Sequence, residues 1–134
     1  MIFLDTSFIV ACKIEEDSNH KKSIECLHNL IEKNNEEVIT SDYVFDETIT
    51  VIFGKTNNLE AAIDVGDTLK SAATILKVDG AVFEETWRIF KEQKGTKLNF
   101  TDCSIITLMK KEIIQSIATF DKEFLKIKEI NVVN

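Results

Sequence analysis

Apolar residues along this chain follow two alternating patterns. Short apolar runs stand at 2–4, 38–39, 74–78, 117–120 and 130–133, and the stretches between them carry apolar side chains at helical spacing. The runs predict strands, and the intervening segments predict helices at 7–14, 19–33, 42–54, 58–73, 80–93 and 101–114. In the second helix Ile24, Leu27 and Ile31 form the apolar stripe, which His28 shares. In the fifth, Phe83, Thr86, Trp87 and Phe90 lie on one stripe, and the last turn is rich in lysine, as the helix dipole prefers. Strands alternating with helices predict an α/β fold, a parallel sheet with crossover helices. Proline is absent and the glycines are scattered, so no linker is visible; no repeat at solenoid period appears, and residues 1–134 read as a single domain.

Composition narrows the picture. A chain of 134 residues can bury one sizeable core. No run reaches the ~18 apolar residues of a membrane span, and no basic segment leads into a cleavable apolar one, so a soluble, cytoplasmic protein is expected. Cys12, Cys26 and Cys103 are odd in number and widely spaced, which fits buried thiols better than a disulfide framework. His20 and His28 lack a third ligand at zinc-site spacing and read as hydrogen-bonded core or boundary residues. A formal charge of −7 argues against a broad basic surface for nucleic acid. It leaves room for phosphate bound through a metal, if several acids converge on divalent cations.

Four acids invite that reading. Asp5 and Asp121 end the first and fourth apolar runs, at the carboxyl edge of the sheet where ligands of such folds collect. Glu47 lies three residues after Val44 and four before Val51, so it shares an apolar line, whereas Asp46 aligns with Asp42 and Thr50. Asp102 starts the stripe Ile105, Ile106, Met109 and Ile113. Each acid has a plainer explanation: Asp5 and Asp121 as helix caps, Asp102 as a complement to a helix dipole, Glu47 as a carboxylate snorkelling from the edge of its stripe. Taken together, four carboxylates at one rim would repel, and a hard divalent ion, Mg²⁺ or Mn²⁺, is the usual remedy for an all-oxygen set.

The segments "FLDTS", "SDYVFDETITVI", "FTDCSIITL" and "IATFDKEF", in this order and with a closing T-x-D-x-x-F (Thr119, Asp121, Phe124), resemble the PIN-domain nucleases, above all the VapC-type toxins. The resemblance spans essentially the whole chain. It implies a central parallel sheet of roughly five strands with helices on both faces. It implies that Asp5, Glu47, Asp102 and Asp121 form the catalytic, metal-binding site, with Thr6, Ser7 and Thr119 supporting it by hydrogen bonds. In that site Asp5 is the bridging or central ligand, Asp102 and Asp121 complete the shell, and Glu47 binds metal or orients water as a base; one metal or two is left open. The implied reaction is metal-dependent hydrolysis of single-stranded RNA by the toxin of a toxin–antitoxin pair. The implied partners are an antitoxin tail presenting Arg or Lys to the acids and a second copy of the chain, joined through the apolar helices of its middle.

A housekeeping RNA-processing nuclease and a non-catalytic PIN-like binding module are the alternatives. An aspartate-nucleophile phosphatase would need a second Asp where Ser7 stands. Lys94 and Lys97 flank Gly95 before Asp102 and are the candidate phosphate contacts, though a solvated helix end explains them equally well; Arg88 and Lys91 are weaker candidates, and Arg88 is expected to pair with Glu84 or Glu92 on its own helix. Two departures stand out: "CSIITLMKKE" where the family often has small residues, and an exit "EIIQS" without its usual glycine turn.

Overall fold

Strand β1 (Ile2–Leu4) lies at the centre of the sheet, which is why its three residues are apolar without alternation and all buried. The computed structural model describes residues 1–134. Around β1 stand β2 (Val38–Ser41), β3 (Thr74–Leu76), β4 (Ser116–Ala118) and β5 (Asn131–Val133), in the order β3-β2-β1-β4-β5 and all parallel. The chain therefore walks outward from β1 to β3, returns across the sheet, and continues from β4 to β5. The carboxyl ends of β1 and β4, paired Leu4 to Ala118, form the point where the two halves diverge.

The sheet is flanked by α1 (Thr6–Lys13), α2 (His20–His28), α3 (Asp42–Thr56), α4 (Leu59–Ala72), α5 (Gly80–Glu92) and α6 (Phe100–Lys111). Helix α1 packs on α2 and α3, α3 on α4, and α5 on α6. Helix α6 is buried without interruption from Asp102 to Met109, so its position is fixed by the core on every side. No helix is long and apolar enough to cross a membrane.

Several expectations need correction. The segment expected as one helix at 19–33 is α2 followed by a π turn, Asn29–Lys33. Ser23 and Leu30 face inward, while Ile24, His28 and Ile31 are exposed. The inward line is Ser23, Cys26 and Leu30, each one residue before a member of the expected stripe. Leu27 and Ile31 instead border an open, mostly apolar groove of about 490 Å³, closed on its far side by Val65 and Leu69 of α4. His20 sits at the boundary, its Nδ1 2.8 Å from the Ala11 carbonyl. In α5 the inward line is Val82 and Thr86, which leaves Phe83 and Trp87 half in solvent. Arg88 does pair within its helix, but with Glu85 and Glu92 rather than Glu84.

Ile113, expected on the inward stripe of α6, lies beyond the helix and is 80% exposed. The helix ends in a Schellman turn: the Ile114 N–H donates to the Met109 carbonyl at 2.8 Å and the Ile113 N–H to the Lys110 carbonyl at 3.4 Å, with Met109 and Ile114 both buried. That turn needs a left-handed residue, and Ile113 supplies it at φ 57° where glycine would be the ordinary choice. A β-branched residue there is strained by about 1–2 kcal/mol, of which glycine's extra freedom in the unfolded chain would return part. Ile113→Gly should therefore stabilise the fold by about 1 kcal/mol, visible as a higher urea midpoint at unchanged slope. A lower midpoint would show that the Ile113 side chain contributes packing that outweighs the strain.

Candidate active site

The site is built outward from Asp5. Its backbone leaves β1 extended, at φ −88° and ψ 159°, and caps α1, with Oδ1 accepting the Thr6 N–H at 2.7 Å. Oδ2 accepts the hydroxyls of Ser7 and Thr119, each at 2.7 Å. Both hydroxyl protons are then committed to Asp5, so the 3.1 Å approach of Ser7 Oγ to Thr119 Oγ1 is a contact rather than a further hydrogen bond. Their lone pairs are used in turn: Ser7 Oγ accepts the Phe120 N–H and Thr119 Oγ1 the Asp121 N–H, each at 3.0 Å. Asp5 is thus the knot between the ends of β1 and β4. Burial pushes its carboxyl above the ordinary aspartate range, and these hydrogen bonds pull it back.

Thr6 supports Asp5 only through its backbone; its own hydroxyl is buried and has no hydrogen-bond partner, although the residue lines the cleft. Ser7 and Thr119 carry the side-chain support.

The other acids also sit at element ends. Asp102 is the third residue of α6 and completes a capping box, Oδ2 accepting the Asn99 N–H at 2.9 Å while Asn99 Oδ1 accepts the Asp102 N–H at 2.7 Å. Asp121 caps the short 3₁₀ turn Lys122–Lys126, with Oδ1 accepting the Glu123 N–H at 2.9 Å. The capping explanation is therefore true of three acids. Each of Asp102 and Asp121 nonetheless has its second oxygen free of any protein partner. Glu47, from the middle of α3, is half-buried.

All four face one cleft of about 240 Å³. Asp17, Asn19 and Asn99 also line it. Nothing in the sequence singles out Asp17, since "EEDSN" reads as an ordinary solvated loop. Burial pushes Asp102 up to about 7, with the Asn99 N–H opposing the rise and the charges of Asp5, Asp121 and Glu47 adding to it. Burial likewise raises Glu47, and the Asp5 charge adds to the effect. The groove beside α4 is roomier than this cleft, but it is mostly apolar and none of the four acids reaches it.

The donor chemistry suits a hard cation: free carboxylate oxygens, an unpartnered threonine hydroxyl and mutual repulsion that only positive charge would relieve. No three His, Cys, Asp or Glu side chains converge as one coordinating group. A cation held here would keep water in its shell, as Mg²⁺ commonly does. Lys94 and Lys97 are exposed and outside the cleft lining; the Lys97 N–H donates to Glu123 at 2.7 Å.

A doubly wound parallel sheet with acids gathered at the divergence of its central strands defines a class of α/β domain whose chemistry sits at one carboxyl rim. Within that class, the chain belongs to the PIN-domain family, whose model matches residues 2–130. VapC20 of Mycobacterium tuberculosis, described as a toxin cleaving the sarcin-ricin loop, shares the fold with TM-score 0.86 at 24% identity over 100% of both chains. FitAcB from Neisseria gonorrhoeae matches with TM-score 0.69 at 20% identity, over 100% of this chain and 97% of that one. VapBC2 from Rickettsia felis, solved with a promoter DNA fragment, matches with TM-score 0.70 at 20% identity, over 98% and 97%. No curated protein matches in sequence.

Burial of Asp102, with the neighbouring acids adding to it, has a measurable consequence. Its pKa in the folded protein, about 7, lies above the ordinary 3.8, so folding takes up a proton between these values. Its contribution to stability is complete below the lower value and is lost as pH rises through the upper one. Metal-free protein should therefore lose stability between about pH 4 and pH 7, and Asp102→Asn should flatten that slope and gain about 1–2 kcal/mol at pH 8. Thermal melts in EDTA across this range test it; an Asn variant that melts lower at pH 8 with an unchanged slope would make Asp102 a helix cap and nothing more.

Proposed function

We infer that the protein is a metal-dependent endoribonuclease of single-stranded RNA, the toxin of a toxin–antitoxin pair. The observation that carries this reading is the gathering of Asp5, Glu47, Asp102 and Asp121 around one cleft in a PIN-domain chain. The VapC20 fold match, whose own description is of an RNA-loop-cleaving toxin, supports it.

A bound Mg²⁺ or Mn²⁺ would supply charge neutralisation at the phosphate and a more acidic water. Asp5, held by three hydrogen bonds, offers a fixed central carboxylate. Asp102 and Asp121 each turn a free oxygen toward the cleft while their other oxygen holds the backbone in place. Glu47 has its pKa raised by burial, which makes its carboxylate a better proton acceptor and suits it to draw a proton from the attacking water. The hydroxyls of half-buried Ser7 and buried Thr119 keep the Asp5 geometry from relaxing when substrate enters.

The same cleft suits an antitoxin. Several similar folds are those of VapBC complexes, and an Arg or Lys from a partner's tail would form charge-assisted pairs with Asp5, Asp102 and Asp121. A homodimer through the middle of the chain is supported by Phe53, Leu59 and Ile63, large apolar side chains left exposed where α3 meets α4. The protein would act in the cytoplasm.

Cleavage of labelled single-stranded RNA should require Mg²⁺ or Mn²⁺ and stop in EDTA; Asp5→Asn should abolish it, and Glu47→Gln should lower kcat by about 100-fold or more. Full activity in excess EDTA, or loss only on replacing His20 or His28, would overturn the assignment. Sedimentation should show a dimer at micromolar concentration, and co-expression with the neighbouring reading frame a stable complex. A monomer with no complex would remove both partners.

A further inference from the structure

The acid cleft does not end at Glu47. Glu47 and Val51 also wall a neighbouring hollow of about 430 Å³, which Tyr43 continues along the same line of α3 and Phe100 lines from α6. From there aromatic rings continue outward. Tyr43 and Phe100 lie 6.3 Å apart between centroids, Phe100 meets Phe83 edge-on at 5.4 Å and Phe90 at 6.2 Å, and Phe90 stacks on Trp87 at 5.8 Å with only 12° between planes. At the outer end the Lys91 ammonium lies 5.5 Å from the Trp87 ring centre.

This ridge is unusual in what it leaves to water. Trp87 is 45% exposed and Phe83 44%, on a helix whose inward line is already complete with Val82 and Thr86. Nothing in the fold needs these rings outside. A protein of net charge −7 with four acids in its cleft cannot hold a polyanion by long-range attraction, and Lys94 and Lys97 lie outside the cleft. Beyond the one phosphate that a cation in the cleft would hold, base stacking is a source of affinity for a single strand that net charge does not oppose, because every base offers a π face.

We propose that the ridge from Tyr43 and Phe100 to Trp87 is a stacking platform for unpaired bases of the RNA strand as it leaves the cleft past Glu47, with Lys91 meeting a phosphate at its outer end. This rests on the nuclease reading. Duplex RNA, its bases already stacked and paired, could not use the platform.

Trp87 is the only tryptophan, so its emission reports directly on the ridge. Titrated in EDTA with a random-sequence single-stranded RNA 20-mer, the protein should show saturable quenching that the matching duplex does not produce. With a single phosphate contact, binding should fall with salt at a log–log slope of about 0.7. Under Mn²⁺, Trp87→Leu and Tyr43→Leu should raise KM at least tenfold with kcat within twofold, and Lys91→Gln should raise KM and flatten the salt dependence, all with wild-type circular dichroism. Wild-type KM in Trp87→Leu, or RNA binding seen by anisotropy without change in Trp87 emission, would overturn the platform and leave the nuclease standing. Emission that shifts with protein concentration and is untouched by RNA would show that a second copy covers the ridge, and would also overturn it. An absence of cleavage with either metal removes the nuclease reading itself, and the platform with it.

Discussion

The join between β1 and β4 at Asp5 is the constraint on which the rest of the structure turns. One carboxylate oxygen takes hydroxyls from residues on either side of the sheet's divergence, and those hydroxyls accept the N–H groups of Phe120 and Asp121 just beyond β4. The strand ends cannot separate without stripping a buried anion of its donors, which costs far more than an ordinary hydrogen bond. Asp121 is placed by this arrangement, since its own N–H is one of those held. The cleft therefore inherits its shape from a network whose members lie almost a full chain length apart.

Capping and catalysis are not rival explanations for these acids. Asp5, Asp102 and Asp121 each stand at the start of a helical turn, where unpaired N–H groups and the helix dipole favour negative charge. Three such starts turned toward one cleft give partial positive charge that offsets the repulsion among carboxylates. The protein can then fold with the acids in place before anything else arrives to neutralise them. Glu47 has no helix start beneath it, consistent with its half-buried, mid-helix position.

Much of this was legible in the sequence, and the parts that were not share a physical cause. All five strands fall where apolar runs predict them; the central strand β1 is buried throughout, as its unbroken apolar run requires, while the edge strands β3 and β5 are only half-buried. Asp5 and Asp121 are visible as abrupt ends to such runs, and Asp102 as the start of an inward stripe. What the sequence hid depends on turns rather than on periodicity. A π turn follows α2 where the pattern reads as one continuous helix, and Ile113 continues the helical pattern of α6 although the chain has already left the helix. The absence of a glycine in "EIIQS" was the sign of an unusual turn there, but the identity of the left-handed residue could not be read from it. That Ser7 and not Thr6 brings its hydroxyl to Asp5 has a similar origin: which hydroxyl reaches the carboxylate depends on the first dihedral angles of α1, not on the order of residues.

The span between Asp5 and Thr119 also bears on the order of events during synthesis. A growing chain that has emerged only as far as α6 has Asp5, Glu47 and Asp102, yet β1 is still an edge strand and Asp5 still lacks the Thr119 hydroxyl. The last of the acids arrives with the last fifth of the chain, after β4 has slotted beside β1. Truncated products released early would carry most of the acids and no finished cleft, so completion of the chain itself is the step that assembles the site.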